Sequence, residues 1–209
     1  MALGAAELIP IALVLIGGAI SPGPSLAVVL RNTIAGGRAR GIACSIGHGL
    51  GMGLYAFLAV SGIAFLKSSG KTFSTILEIS GAFFLVWIAI MMLRSNGNRD
   101  GDGLQVQHSG KRDGFIEGFL IAFFNPKIFV FLTAIFSQFV VAGIPFADKI
   151  VLASLAFVID TSWYLIVSIA LSGTALLEAL RHRGRLIDII VAIILLGLAV
   201  AIFSKHLIY

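Results

Sequence analysis

Apolar residues in this chain come in long unbroken runs, not in the alternating or one-sided patterns of water-soluble strands and helices. Six stretches, roughly 8–30, 42–66, 74–93, 115–141, 149–172 and 186–204, come near or exceed the ~20 residues a helix needs to cross a bilayer core. Polar residues gather in the short breaks between them. The longest break, Arg94 to Arg112 (RSNGNRDGDGLQVQHSGKR), is Gly-rich and reads as a flexible linker. Asp100-Gly101-Asp102-Gly103 lacks the glutamate that closes a calcium loop, so a solvated linker is the better reading. The pattern predicts an all-α integral membrane protein with a three-helix unit over 1–93, a cytoplasmic linker over 94–112 and a second three-helix unit over 113–209.

Composition makes lipid the outer solvent. Of 209 residues 58% are hydrophobic and 12% charged, and soluble domains carry about 25% charge to cover their surface. The net charge of +5 does not indicate nucleic acid, because the basic residues form short clusters between apolar runs and no continuous stripe. The breaks after the first, third and fifth stretches carry Arg31, Arg38, Arg40, Arg94, Arg99, Lys111, Arg112, Arg181, Arg183 and Arg185. The opposite side has Lys67, Lys71, Lys149 and Lys205, so ten against four places both termini outside the cytoplasm of a bacterial inner membrane. No Lys or Arg precedes Arg31, so the first stretch is expected to span the membrane and not to be a cleaved leader. Cys44 stands alone, which excludes an intrachain disulfide or a dithiol relay.

The two halves match at three points in order. Ser21-Pro22-Gly23-Pro24-Ser25 pairs with Phe124-Asn125-Pro126-Lys127, aligning Pro24 with Pro126 at an offset of 102. Leu54-Tyr55 pairs with Trp163-Tyr164 at 109, and the run from Glu78 pairs with the run from Asp188 at 110. Each half has three helices, an odd number, so six transmembrane helices form two inverted repeats. Transporters use this plan, with the solute site at midplane between the halves.

Candidate chemistry lies on the broken segments. Proline lacks an N–H and clashes with the preceding turn, so Pro22, Pro24 and Pro126 should break helices 1 and 4, with Gly23 adding freedom. Freed amides at the restart of each helix suit an anionic group. Lys127 sits near the middle of its stretch, where a charge costs at least ~2.5 kcal/mol and is a functional candidate by default. Asp160, midway along the fifth stretch, is its natural counterpart for a coupling proton or an ammonium group, and a Lys127–Asp160 pair would make a gate. Ser21, Ser25 and Asn125 complete the expected substrate site. His48 shares a helix face with Ser45, Met52 and Tyr55 and is a candidate proton relay; Tyr55, Trp163 and Tyr164 are candidate cavity lining. Gly47, Gly49, Gly51 and Gly53 read as a packing surface. Glu78, Glu117 and Asp188 fall near helix ends, where the interface satisfies a carboxylate cheaply.

Pro22-Gly23-Pro24, Gly118-Phe119-Leu120, Asn125-Pro126-Lys127, Gln138-Phe139-Val140, and Asp160 followed by Trp163 together resemble the LysE/RhtB family of amino-acid exporters over nearly the whole chain. Two features depart from that pattern: Ser25 follows Pro-Gly-Pro where Asn is usual, and no acidic residue lies near Met52. The resemblance implies proton-driven efflux of amino acids or related small metabolites, often by a homodimer, with no enzymatic step and no cofactor. A metal-ion transporter finds thin support in His48 and Asp160, and a non-transporting scaffold is the bland alternative.

Overall fold

The computed structural model describes residues 3–21, 23–94, 110–170 and 174–208. Those residues form seven helices and no strand: α1 (Ala5–Ile20), α2 (Pro24–Ser68), α3 (Lys71–Arg94), α4 (Lys111–Phe123), α5 (Pro126–Phe139), α6 (Phe146–Ala170) and α7 (Thr174–Ile208). By length and composition α2 and α6 can each cross a membrane, and α4 with α5, bent by 55° where they join, is long and apolar enough for a third if the pair is one span. Large apolar side chains such as Ile9, Leu13, Phe65, Phe83 and Ile193 face outward, as lipid-covered surfaces do.

Local chemistry explains where the helices stop. Pro24 and Pro126 each occupy the opening position of a helix, where the missing N–H costs nothing, so α2 and α5 begin at them. Pro22 lies outside the described residues. Within α2 the backbone turns at Gly37, whose φ of 76° suits glycine and strains other residues. Two helical arms result, 24–36 and 38–68.

Three expected boundaries move. Arg31, Arg38 and Arg40 are not in a loop: helix continues on both sides of Gly37, and the break shrinks to a turn. Lys111 and Arg112 belong to α4, whose start is capped by the Gly110 N–H donating to Asp113 Oδ2 at 3.0 Å. Arg181, Arg183 and Arg185 lie within α7, which starts at Thr174 because the Leu-Leu-Glu-Ala-Leu run favours helix. Asp100 to Gly103, with the rest of 95–109, fall outside the described residues.

The long arm of α2 packs mainly between α4 and α6. A Cβ on Gly47 or Gly51 would strike the α4 backbone at Phe115 or Phe119, and one on Gly118 would strike the Cys44 carbonyl. Gly49 and Gly53 instead face Thr161 and Phe157 of α6. Glycines two apart therefore serve opposite sides of one helix, and each neighbour approaches at backbone distance. The main apolar core, including Ile11, Val60, Leu85, Phe136, Leu152 and Leu195, ties the remaining helices to this centre.

Gly118→Ala should therefore lower the thermal midpoint in detergent by the equivalent of about 1–3 kcal/mol of overpacking. Gly62, which has nothing within 4 Å, is the comparison: Gly62→Ala should hold or raise the midpoint through the gain in helix propensity. Equal shifts in the two variants would count against the close-contact explanation.

Candidate functional site

Both helix restarts open onto one cavity of about 60 Å³. Ser21, at the end of α1, and Gly23, Pro24 and Ser25, at the start of α2, form one wall. Asn125 and Lys127, at the start of α5, form a second. His48 and Met52 of α2 with Asp160 and Tyr164 of α6 form a third. A Cβ placed on Gly23 would lie 3.9 Å from the Lys127 ammonium, so the lysine reaches the opposite helix break.

The two restarts share a design and differ in their caps. At α5 the Asn125 side-chain oxygen accepts from the Lys127 N–H at 3.0 Å, an N-cap followed by proline. At α2 the capping position is Gly23, which has no side chain to offer. The first amides of α2 therefore face the cavity end of the helix with no side-chain cap, and the half-helix dipole adds partial positive charge beside Lys127.

Opposite them sits a buried acid–base pair. His48 Nδ1 lies 2.7 Å from Asp160 Oδ2, and both side chains are almost fully buried. Where Nδ1 donates to the carboxylate, Nε2 of the neutral ring is an acceptor. Nε2 has no hydrogen-bond partner among the described residues. The Tyr164 ring meets His48 edge-on at 4.7 Å. The Asp160 carboxylate is bonded to His48, and Lys127 lines the same cavity.

Other expected residues lie elsewhere. Tyr55 does not line the cavity; it packs on Phe123 and Phe129 at 5.3 and 5.5 Å, bracing both sides of the α4–α5 break. Trp163 packs against the buried group of Leu26, Val29, Cys44, Tyr164 and Val167. The side chain of Pro126 is outside the described residues, although its backbone opens α5. Sequence reasoning missed Gly18, Phe131 and Val191. Phe131 follows Lys127 by one helical turn and fills the space a side chain at Gly18 would need, a spacing signal visible in the sequence. Glu117 is not merely satisfied by an interface: it accepts from Arg31 and Asn32 at 2.8 and 2.9 Å and from Arg40 at 3.2 Å. Among the described residues no three His, Cys, Asp or Glu come together as a metal group.

A helical membrane chain in which two helix starts, at Pro24 and Pro126, meet at one cavity has the plan of a solute translocator. The LysE type translocator family matches residues 16–206, and the chain belongs to that family. It is 26% identical to the uncharacterized membrane protein YahN of Escherichia coli (strain K12), over 90% of this chain and 83% of that one. It is 30% identical to the homoserine/homoserine lactone efflux protein of Salmonella typhimurium, over 68% of each chain. Identity to the threonine efflux protein of Escherichia coli (strain K12) is 23%, over 76% of this chain and 78% of that one. No solved structure matches the chain.

Asn125→Ala should fray the start of α5 and lower stability by about 1 kcal/mol, while Asn125→Ser, which keeps a capping oxygen, should stay near the parent. Thermal midpoints of the purified variants decide it. Equal losses would mean the amide does something other than cap.

Proposed function

We propose that this protein is a proton-coupled exporter of amino acids or closely related small metabolites, set in a bacterial inner membrane. In this reading six membrane-crossing segments form two inverted three-helix halves with both termini outside the cytoplasm. The observation that carries it is the charge layout of one small cavity: the uncapped start of α2 with Lys127 on one side, the His48–Asp160 pair on the other. A zwitterion fits such a site in one orientation, its carboxylate at the helix start and Lys127, its ammonium at Asp160 and His48 Nε2. The relatives named for homoserine and threonine efflux support a small hydroxylated amino acid as the first solute to test.

Proton coupling follows from the same pair. With Asp160 ionised and His48 neutral, the pair has one negative charge and an open acceptor, which suits an ammonium group. A proton taken up at Nε2 cancels that charge and turns the acceptor into a donor. Proton and ammonium then exclude each other, which is the condition for exchanging one for the other across the membrane. Lys127 lines the same cavity from α5, and Tyr164 packs on His48 from α6.

Inverted membrane vesicles with an acidic lumen should accumulate labelled L-threonine or L-homoserine when they contain this protein, and should stop when the pH gradient is collapsed. Lys127→Met and Asp160→Asn should each lower the rate by roughly tenfold or more, the loss expected for one charged hydrogen bond in a buried site. Accumulation no better than in empty vesicles, across a full amino-acid panel, would sink the exporter reading. A reporter fused after Tyr209 should be active on the periplasmic side; activity in the cytoplasm would break the six-span arrangement.

A further inference from the structure

Two ion networks sit at opposite ends of the long arm of α2. At one end Glu117 of α4 accepts from Arg31 and Asn32 before the Gly37 turn and from Arg40 after it, and Arg40 Nε donates to Asn32 Oδ1 at 2.6 Å. At the other end Lys67 donates to Glu78 Oε1 of α3 at 2.7 Å and to the Ser137 carbonyl of α5 at 2.6 Å. Glu78 Oε2 also meets His206 Nε2 of α7 at 3.0 Å. Arg40 and Lys67 are 27 positions apart on continuous helix, which at 1.5 Å per residue is about 40 Å. That exceeds the ~30 Å hydrocarbon core, so the networks belong to its two faces. His48 and the cavity lie between them.

Taking the exporter reading as its basis, we infer that these networks are the two latches of the cavity, opened one at a time during transport. The first ties both arms of α2 to α4, and α2 and α4 lie on either side of the two helix breaks that line the cavity. The second ties the far end of α2 to α3, α5 and α7. Separating the halves on either face therefore requires breaking the network on that face. Both are closed in this structure. In the first network the Arg31 and Glu117 side chains are 24% and 35% exposed, so water can take over that contact as it parts, whereas Arg40 and Asn32 are buried and bond each other.

The chain carries its own reporter for the first latch. Cys44, its one cysteine, is fully buried, one helical turn from Arg40 and one from His48. Opening that face exposes the thiol, and opening the other face does not. The test is the rate of N-ethylmaleimide labelling of Cys44 in the full-length, detergent-purified protein, with folding checked by monodispersity and thermal midpoint. Glu117→Gln and Arg31→Gln, which weaken the near latch from either partner, should each speed labelling roughly tenfold or more, the equivalent of losing one charge-assisted hydrogen bond. Lys67→Gln, at the far latch, should leave labelling at or below the parent rate. Unchanged labelling in the folded near-latch variants would overturn the assignment, and so would equal acceleration by Lys67→Gln, which would mean general loosening. None of these readings needs a transported solute, so a failed efflux assay and a failed latch are told apart.

Discussion

The backbone-distance approach of α2 to α4 on one side and α6 on the other is the constraint on which the rest of this molecule depends. Gly47 and Gly51 admit the α4 backbone, Gly118 returns the favour toward Cys44, and Gly49 and Gly53 admit Phe157 and Thr161 of α6. In an apolar solvent helices gain nothing from hiding hydrophobic surface from one another, so association rests on close van der Waals fit and on hydrogen bonds between helices. The glycines supply the fit. The fit in turn brings His48 to 2.7 Å from Asp160 and Ser45 to 2.8 Å from Ser168, polar contacts that longer side chains at the interface would prevent.

How far the sequence disclosed this follows from what each signal depends on. Pro24, Asn125-Pro126 and Lys127 were legible because their effects are local: a missing N–H stops a helix wherever it falls, and a lysine deep in an apolar run is costly in any fold. A shared site was the expectation drawn from pairing the two motifs, and Gly23, Pro24, Asn125 and Lys127 do line one cavity. The boundaries around Arg38, Lys111 and Arg181 were misread for a related reason. Charged residues mark the end of an apolar run, but Arg and Lys are good helix formers, so the helix outlasts the hydrophobic signal.

Partner choice was not legible at all. Asp160 sits on a different segment from both Lys127 and His48, and nothing local decides which of them it meets; the decision belongs to the glycine faces that orient α2 against α6. Glu117 shows the same limit. It lies 86 positions from Arg31 and 77 from Arg40, and from sequence it is one more carboxylate near a helix end. Only the parallel packing of α4 along α2, in which Gly114 lies against Arg40 and Gly118 against Cys44, turns it into the junction of three donors.

The contrast between the buried pair and the partly exposed Arg31–Glu117 contact is itself an argument about mechanism. A buried pair cannot be split cheaply, since each partner would be left unsatisfied in a low-dielectric interior. It can only change its protonation or trade one partner for a ligand of equal charge, and that is chemistry suited to binding. The Arg31–Glu117 contact behaves in the opposite way: both side chains are partly exposed, so water can replace either and the loss is tolerable. Interactions of that kind suit motion. The fold thus places what must be selective at the centre, held by close-packed glycines, and a solvent-reachable contact, Arg31–Glu117, at one end, where parting costs least.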